Sequence, residues 1–296
     1  MEIKPKQRVE GLSYWQMVWF HLRQNRLAMF GGLAVIAFLI LIALSADFLA
    51  NEKPYALKMN GKTYYPILQD YLVRAGLAQW PEELVNADYK KLEYESGIFP
   101  PVRYLPNRVD LTNPFAAPSR DHLLGTDRLG RDILSGIIHG TRISITIGLV
   151  AMGIATFIGV SIGAVAGYFG GWVDLLINRL FELMLSIPTF FLLLSVAVFV
   201  EEPSVFYIMG IIGLTSWVGI ARFTRNEFLK AKNLDYVSAA IAIGASNTRT
   251  MFRHILPNSL APVIVAVVFG FAGAILVESS LSFLGIGVPA DTITWG

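Results

Sequence analysis

The chain has 296 residues, of which 54% are hydrophobic and only 16% are charged. A mean hydropathy of +0.54 places it in the membrane class and excludes an ordinary soluble enzyme. The net charge of +2 is too small to indicate nucleic-acid binding, and the absence of cysteine excludes disulfides, thiolate metal sites and cysteine nucleophiles. Neither the phosphate-binding GxxxxGK[ST] pattern nor the zinc-binding HExxH pattern occurs, and we predict no catalytic residue and no metal site.

Uncharged apolar runs predict the spans. A bilayer core about 30 Å thick takes roughly 20 helical residues. The runs of suitable length are 27–46, 143–173, 183–200, 203–221 and 255–277. The first run is too long for a signal peptide, so we predict a retained anchor at 27–49. The predicted fold class is an all-α integral membrane protein with five transmembrane helices.

The positions of Lys and Arg predict the orientation. Basic residues cluster in the N-terminal segment 1–26 and in the 222–254 connection, and short basic segments stay in the cytoplasm. The N-terminus is therefore predicted to be cytoplasmic and the long segment 50–140 external. The remainder, 141–296, is predicted to hold spans two to five.

Residues 235–258 predict a short helix, a tight turn at Gly244 and a second short helix. Apolar side chains recur at the i, i+3, i+4, i+7 spacing in Tyr236, Ala239, Ala240 and Ile243. Ser246 or Asn247 can cap the second helix. A glycine that ends a helix, as Gly244 would, usually has positive φ. An apolar face that protrudes needs a cover, supplied by the chain's own span ends or by another subunit. The pattern leaves both possibilities open.

This segment resembles the EAA loop of ATP-binding-cassette (ABC) importer permeases, in which E-A-A is followed by three residues, G, nine residues and I-x-L-P. The matching positions are Ala239, Ala240, Gly244, Leu256 and Pro257. Ser238 stands where the pattern has Glu, and His254 where it has Ile. The ending "RHILPN" is the one usual in the peptide-permease branch.

Other stretches are similar to the same branch. They are "LGTDRLGRD" (124–132), "GYFGGWVD" (167–174) and "ESSLSFLGIGVPADTITWG" (278–296). The chain is thus identified as resembling the C-type permease subunits of dipeptide, oligopeptide and nickel importers. The insert 50–118 also resembles that of the Yej-type peptide and microcin C importer branch.

The resemblance implies a type I ABC importer permease fold in the bacterial inner membrane, with peptide as the default cargo. It implies a second, B-type permease, two ATPase subunits, an external substrate-binding protein and membrane lipid as partners. ATP and Mg would be bound by the ATPase subunits, so no cofactor and no enzymatic activity is expected of this chain. Family members continue into a sixth span, and we expect the sequence to be cut after Gly296.

The loop 222–258 would then contact an ATPase subunit. The residues expected to make or shape this contact are Tyr236, Ser238, Ala239, Ala240, Ile243, Gly244, Arg249 and Met251. Because Ser238 is neutral, we expect docking to depend on Tyr236, Ile243, Arg249 and Met251.

A second set of residues is a candidate gate or translocation path: Arg179, Glu182, Pro188, Glu278, Ser282 and Phe283. Arg179 and Glu182, clustered with Asp174, fit either a gate or a neutralised pair at the membrane surface. Pro188 predicts a kink. Glu278 fits either an external gate within the scoop-like segment 278–296 or an acid that faces water.

Three other classes remain as alternatives. They are an ion-coupled secondary transporter or channel subunit, a membrane-embedded enzyme, and a scaffold. The predicted spans carry no acid near their middle, which disfavours the first alternative. Within the importer class, nickel or another small cargo is the alternative to peptide.

Overall fold

The computed structural model describes residues 19, 23, 25–85, 87–89, 92–198, 204–289 and 292–296. The described residues form two compact units. The first draws on Met1–Phe38, Gly148–Glu201 and Met209–Val277, and the second on Leu39–Ile147, Glu202–Ile208 and Glu278–Gly296. Most of the predicted cytoplasmic segment 1–26 and the ends of the predicted third and fourth spans, 199–203, lie outside the described residues.

Helices dominate the described chain, and one small sheet interrupts them. In chain order the elements are α1 (Arg26–Leu49), β1 (Ala56–Met59), β2 (Lys62–Tyr64), α2 (Pro66–Arg74), β3 (Ser96–Ile98), α3 (Ile133–Phe169), α4 (Gly171–Ser186), α5 (Thr189–Val198), α6 (Val205–Ala231), α7 (Asp235–Ala242), α8 (Asn247–Arg249) and α9 (Leu256–Phe283). A 3-10 turn covers Glu82–Leu84, and a π-helical segment, Thr250–Ile255, joins α8 to α9.

Within the described residues, four helical stretches are long and apolar enough to cross a membrane. They are Met29–Leu49, Ile133–Phe169, Val205–Ala231 and Asn247–Phe283. The pair Gly171–Ser186 and Thr189–Val196 is a fifth candidate, bent by 78° at its break. Up to five spans are therefore present, which agrees with the number predicted from the sequence.

The bounds of two spans differ from the prediction because charged residues were taken as span ends. Helix α3 begins at Ile133 and passes through Arg142, whose Nε donates to Ala43 O (2.9 Å) and whose Nη2 lies 3.3 Å from Asp47 Oδ2. The fourth span was predicted to end at Ala221, before Arg222, but α6 continues through Arg222 and Arg225 to Ala231, and Arg225 pairs with Asp174. Neutralised arginines do not end a helix, and neither partner is close in sequence.

The predicted third span, 183–200, is two helices. Ile187 is extended (φ −93°, ψ 119°) and Pro188 has no N–H to donate, so the hydrogen-bond ladder stops between α4 and α5. The kink predicted at Pro188 is confirmed, and the break is sharper than a simple bend.

In the first unit, a stripe of small residues lets α3 approach α6 closely. A Cβ on Gly159 would lie 2.8 Å from Trp217 O, and one on Gly163 would lie 2.3 Å from Ala221 O. A Cβ on Gly167 would lie 2.6 Å from Arg225 O. Backbone atoms cannot move aside as a side chain can, so the stripe packs closely against the chain's own helix α6.

In the second unit, residues after α1 build a small lobe around an antiparallel sheet of order β2-β1-β3. Asn60 (φ +52°) and Gly61 (φ +73°) form the two-residue turn between β1 and β2, a composition typical of hairpins. Leu57, Met59 and Leu84 form its core with Tyr89. Strands were not predicted in the insert 50–118, although its Asn-Gly pair was a local signal for them.

A polar cluster holds this lobe to the helices of the same unit. Asp47 Oδ2, near the end of α1, accepts a hydrogen bond from Tyr71 Oη (2.6 Å) and pairs with Arg142 of α3. His139 Nε2 lies 2.8 Å from Ala50 O. The lobe is thus fastened through α2 to both α1 and α3.

The α3–α6 contact predicts opposite effects of the same substitution at two glycines of α3. Gly163→Ala places a methyl group 2.3 Å from Ala221 O, whereas a Cβ on Gly153 meets nothing within 4 Å. We expect Gly163→Ala to lower the free energy of unfolding by about 1–3 kcal/mol, and Gly153→Ala to leave it unchanged or raised through better helix propensity. Thermal unfolding midpoints of the two purified variants in detergent measure this. Equal midpoints would contradict the close packing.

Candidate functional site

The predicted helix–turn–helix is present as a hairpin, residues 234–255, held to the first unit by a buried apolar cluster. Val237 of α7 and Met251 and Ile255 of the π-helical segment pack with Phe228 of α6. Ala164 of α3 and Ala231 of α6 complete the cluster, and Val165, Tyr168 and Leu256 pack against it. Phe228, Val237 and Ile255 are fully buried. The hairpin is therefore part of the packed core, and not a loose loop.

Gly244 forms the turn of the hairpin with φ +84°, which confirms the positive φ predicted for it. Its N–H donates to Ile241 O (2.9 Å), and the Ala245 N–H donates to Ala240 O (3.0 Å). This pair of bonds is a Schellman motif, which satisfies the last carbonyls of α7 and reverses the chain. Any other residue here would need the left-handed conformation that costs L-residues about 1–2 kcal/mol.

Ser246 caps the second half of the hairpin. Its Oγ accepts from Arg249 N (3.4 Å) and its carbonyl accepts from Thr250 N (2.9 Å). Asn247, the other predicted cap, accepts instead a hydrogen bond from Tyr168 Oη of α3 (3.0 Å). Both ends of the turn are thus fixed by hydrogen bonds.

The side of the hairpin away from the cluster leaves large apolar side chains exposed. We call them the exposed hairpin set: Leu234, Tyr236, Ile241, Ile243 and Phe252. Ile243, beside the turn, is 86% exposed. Ser238, Ala239 and Arg249 are exposed as well.

Two of the predicted docking residues do not belong to this side. Met251 is only 3% exposed and Ala240 only 4%, so the expectation that they contact a partner is wrong in this structure. Helix α7 has apolar residues on both of its sides, and their spacing alone does not show which side packs on the chain's own helices. Leu234, Ile241 and Phe252 were missed for the same reason.

The turn geometry predicts a graded response to substitution of Gly244. Gly244→Ala meets no atom within 4 Å, so only the φ of +84° opposes it, and we expect a loss of about 1 kcal/mol. Gly244→Asn should lose less, because Asn tolerates this conformation. Amide hydrogen exchange at Ala245 measures the opening of the motif. It should be slowest in the wild type, faster in Gly244→Asn and fastest in Gly244→Ala. Equal exchange in all three proteins would contradict the role of the turn.

The three charged residues of α4 that were expected to cluster are divided between two ion pairs. Arg179 Nη1 donates to Glu182 Oε2 (2.5 Å) within α4, and both side chains are well exposed, as in an ordinary surface pair. Glu182 and Arg222 line a cavity of about 420 Å³ together with Asn178, Phe181, Leu185 and Ser186. Asp174, which we expected beside Arg179 and Glu182, pairs with Arg225 of α6.

Glu278 of α9 is fully buried, which excludes the expectation that it faces water. Its Oε1 accepts from Ser282 Oγ (2.7 Å) and from Thr294 Oγ1 (3.0 Å). Its Oε2 has no hydrogen-bond partner among the described residues. Phe283 is 89% exposed and does not join this group.

The segment that follows α9 returns to α3 within the second unit. The Trp295 N–H donates to Ser144 Oγ (3.0 Å), and its indole N–H lies 3.2 Å from Thr141 Oγ1. With the Thr294–Glu278 bond, these contacts strap residues 294–296 to α3 and α9. Neither Thr294 nor Trp295 was singled out from the sequence, since their partners lie far away along the chain.

The charged residues of "LGTDRLGRD" have structural uses. Asp132 Oδ1 accepts from Ser135 N (2.7 Å) and so caps α3, while Oδ2 lies 2.9 Å from His122 Nδ1. Asp127 accepts bonds from Leu129 N and from Arg131 N and Nε. Burial acts to raise the pKa of Asp127, but the hydrogen bonds and the Arg131 guanidinium outweigh it and hold that pKa below its usual value. These contacts form a turn that caps α3.

Residues 159–163 read GVSIG, the spacing of a serine hydrolase nucleophile motif. They lie within the long helix α3, and Ser161 Oγ donates to Phe157 O (2.7 Å) one turn earlier. That motif requires a sharp strand-to-helix turn, which a continuous helix does not provide. Ser161 is an ordinary helix serine.

Long apolar helices indicate a multi-pass membrane protein, and a packed hairpin that presents apolar side chains indicates a contact surface on it. Comparisons with known proteins show the class to which it belongs. Residues 159–296 match the family model of the binding-protein-dependent transport system inner membrane component. Residues 13–72 match the N-terminal transmembrane domain of oligopeptide transport permease C.

Full-length relatives agree with these matches. The chain is 34% identical to the peptidoglycan transport system permease protein YejE of Agrobacterium fabrum, over 94% of this chain and 80% of the relative. It is 34% identical to the inner membrane ABC transporter permease protein YejE of Escherichia coli, over 95% and 84%. It is 35% identical to the dipeptide transport system permease protein DppC of Haemophilus influenzae, over 94% and 78%.

The chain therefore belongs to the oligopeptide and dipeptide (Opp/Dpp) family of ABC importer permeases, which includes the Yej branch. It is a multi-pass inner-membrane transport subunit, one component of an importer with several subunits. The predicted fold class, a helical permease, is confirmed, with the small sheet of the insert 50–118 as an addition.

Proposed function

We propose that this chain forms part of the translocation path of a peptide importer and is driven by ATPase subunits that bind the exposed hairpin set. The observation that supports this most is the contrast between the two sides of the hairpin: Val237 of α7 is fully buried, whereas Ile243, directly after α7, is 86% exposed. Large apolar side chains held out on a packed element are typical of an interface.

The chemistry of the exposed hairpin set fits a docking contact. Burying one isoleucine or phenylalanine side chain contributes about 1.5–3 kcal/mol, so a few such residues can supply most of a stable contact. Ser238 offers a neutral hydrogen bond where relatives of the EAA pattern have a carboxylate, and Arg249 adds a positive charge nearby. The contact on this chain would depend mainly on apolar burial.

The packing of the hairpin supports transmission of motion. Because Val237 and Ile255 share one cluster with Phe228, the hairpin cannot shift without moving the ends of α6 and α9. Packed cores are not continuously deformable, so an ATPase that closes on the hairpin would displace these helices as rigid bodies. ATP and Mg would be bound by the ATPase subunits, and this chain would bind no cofactor.

Cargo and partners follow from the relatives. Two of the reported relatives are named as dipeptide and peptidoglycan transport permeases, and we propose a peptide cargo for this chain. A nickel chelate or another small cargo is the alternative, and uptake with labelled peptides and nickel distinguishes them. We further propose a second permease, an external binding protein that delivers the substrate, and a cytoplasmic N-terminus.

The docking role predicts that an aspartate introduced at Ile243 weakens ATPase binding, whereas an aspartate at another exposed apolar position does not. Ile243→Asp should leave the fold intact but reduce ATPase subunits recovered with the chain by at least about tenfold, since a buried unpaired carboxylate opposes docking. The matched control is Leu77→Asp in the external lobe, where the parent side chain is 76% exposed, and it should retain the ATPase subunits. Affinity purification from the native membrane with subunit quantitation measures both.

Two results would overturn the proposal. One is full recovery of ATPase subunits and full peptide uptake with Ile243→Asp. The other is recovery of the wild-type chain without ATPase subunits from membranes that contain them.

A further inference from the structure

One ion pair of the first unit joins two different helices, among the residues that the structure describes there. Asp174 of α4 pairs with Arg225 of α6, whereas Arg179–Glu182 lies within α4 and Lys230–Glu227 within α6. The sequence did not indicate this pair, because its members lie 51 positions apart.

The geometry of the pair restrains both the distance and the relative orientation of the two side chains. Arg225 Nε donates to Asp174 Oδ1, and Arg225 Nη2 donates to Oδ2 (2.6 Å), so the guanidinium binds both carboxylate oxygens. Asn178 Nδ2 donates to the same Oδ1 (2.9 Å). The side chains are only 19% and 22% exposed. Two parallel charge-assisted bonds fix orientation as well as distance.

The two partners lie beside different elements, Arg225 beside the hairpin cluster and Asp174 at the start of α4. Arg225 precedes Phe228 by three residues on α6, and Phe228 is the residue on which the hairpin cluster packs. Asp174 lies in the first turn of α4, directly after the chain reversal at Gly170 (φ +67°) and Gly171 (φ +52°). Helix α4 leads to the break at Pro188 and then to α5.

An aromatic contact between these helices is less directional. Phe181 of α4 and Trp217 of α6 lie with ring centroids 5.9 Å apart, tilted by 59°. Apolar contacts of this kind resist separation but permit sliding, because dispersion depends weakly on direction. A bidentate ion pair does not permit the two helices to slide past each other unless its hydrogen bonds break.

We propose that Asp174 and Arg225 are positioning residues that carry the displacement of the hairpin from α6 to α4, and so to the broken span α4–α5. This inference rests on the proposed function, since it requires that an ATPase moves the hairpin. The pair does not bind the ATPase or the cargo. Its loss uncouples ATP hydrolysis from transport while the complex stays assembled.

The test uses the whole importer, purified with its ATPase subunits and binding protein and reconstituted in liposomes. Asp174→Asn and Arg225→Gln should retain the ATPase subunits but lower the peptide transported per ATP hydrolysed by about tenfold, the factor that the loss of one charge-assisted bond allows. Arg225→Lys keeps the charge without the planar fork and should give an intermediate ratio. Lys230→Gln, which removes the cation of a pair within α6, is the matched control and should match the wild type.

Reversal of the pair gives the decisive comparison. The double variant Asp174→Arg with Arg225→Asp should recover most of the ratio lost in the single variants, because it restores the pair with its charges exchanged and so shows that the two residues act through each other. Three results would overturn the inference: wild-type ratios in both single variants, loss of the ATPase subunits from them, or no recovery in the reversed pair. The proposed function is judged separately in the same preparations, by whether the wild-type chain carries ATPase subunits and Ile243→Asp does not.

Discussion

Burial of Phe228 among residues of three other segments is the constraint on which the hairpin depends. Phe228 of α6 is fully buried between Val237 of α7, Ala164 of α3 and Ile255 before α9. This contact fixes the hairpin to the ends of the helices that it connects. Without it, α7 would be a short helix of eight residues, which is marginal on its own in water. The cluster makes the hairpin rigid, and rigidity is what allows a contact on its outer side to move helices.

The two sides of the hairpin differ in burial. The inner side chains pack in the core of the first unit, whereas the exposed hairpin set is the surface that we propose for the ATPase contact. Gly244 and Ser246 set the angle between the two halves, and Asp174–Arg225 ties α6 to the broken span. We propose that a displacement of the hairpin is carried through α6 and the Asp174–Arg225 pair to α4, which ends before Pro188.

Features that depend on neighbouring residues could be predicted from the sequence, and features that depend on distant ones could not. Apolar runs gave the number of spans, and the spacing around Gly244 gave the hairpin and its positive φ. The start of α3 and the end of α6 were misplaced because charged residues were taken as span ends, whereas α3 continues through Arg142 and α6 through Arg222 and Arg225. Arg142 and Arg225 have partners far along the chain. The burial of Met251 and Glu278 and the strap at Trp295 also arise from tertiary contacts, for which one sequence holds no periodic signal.

The central claim is that the outer side of the hairpin lies against an ATPase subunit. Because the chain has no cysteine, Ile243→Cys introduces a unique thiol for a short photoactivatable cross-linker. Leu77→Cys is the control for a similarly exposed apolar site in the lobe of the second unit, which we propose to be external. The account predicts that Ile243→Cys in native membranes cross-links to an ATPase subunit and that Leu77→Cys does not. Labelling of Ile243→Cys by lipid alone, or equal cross-linking from both positions, would contradict it.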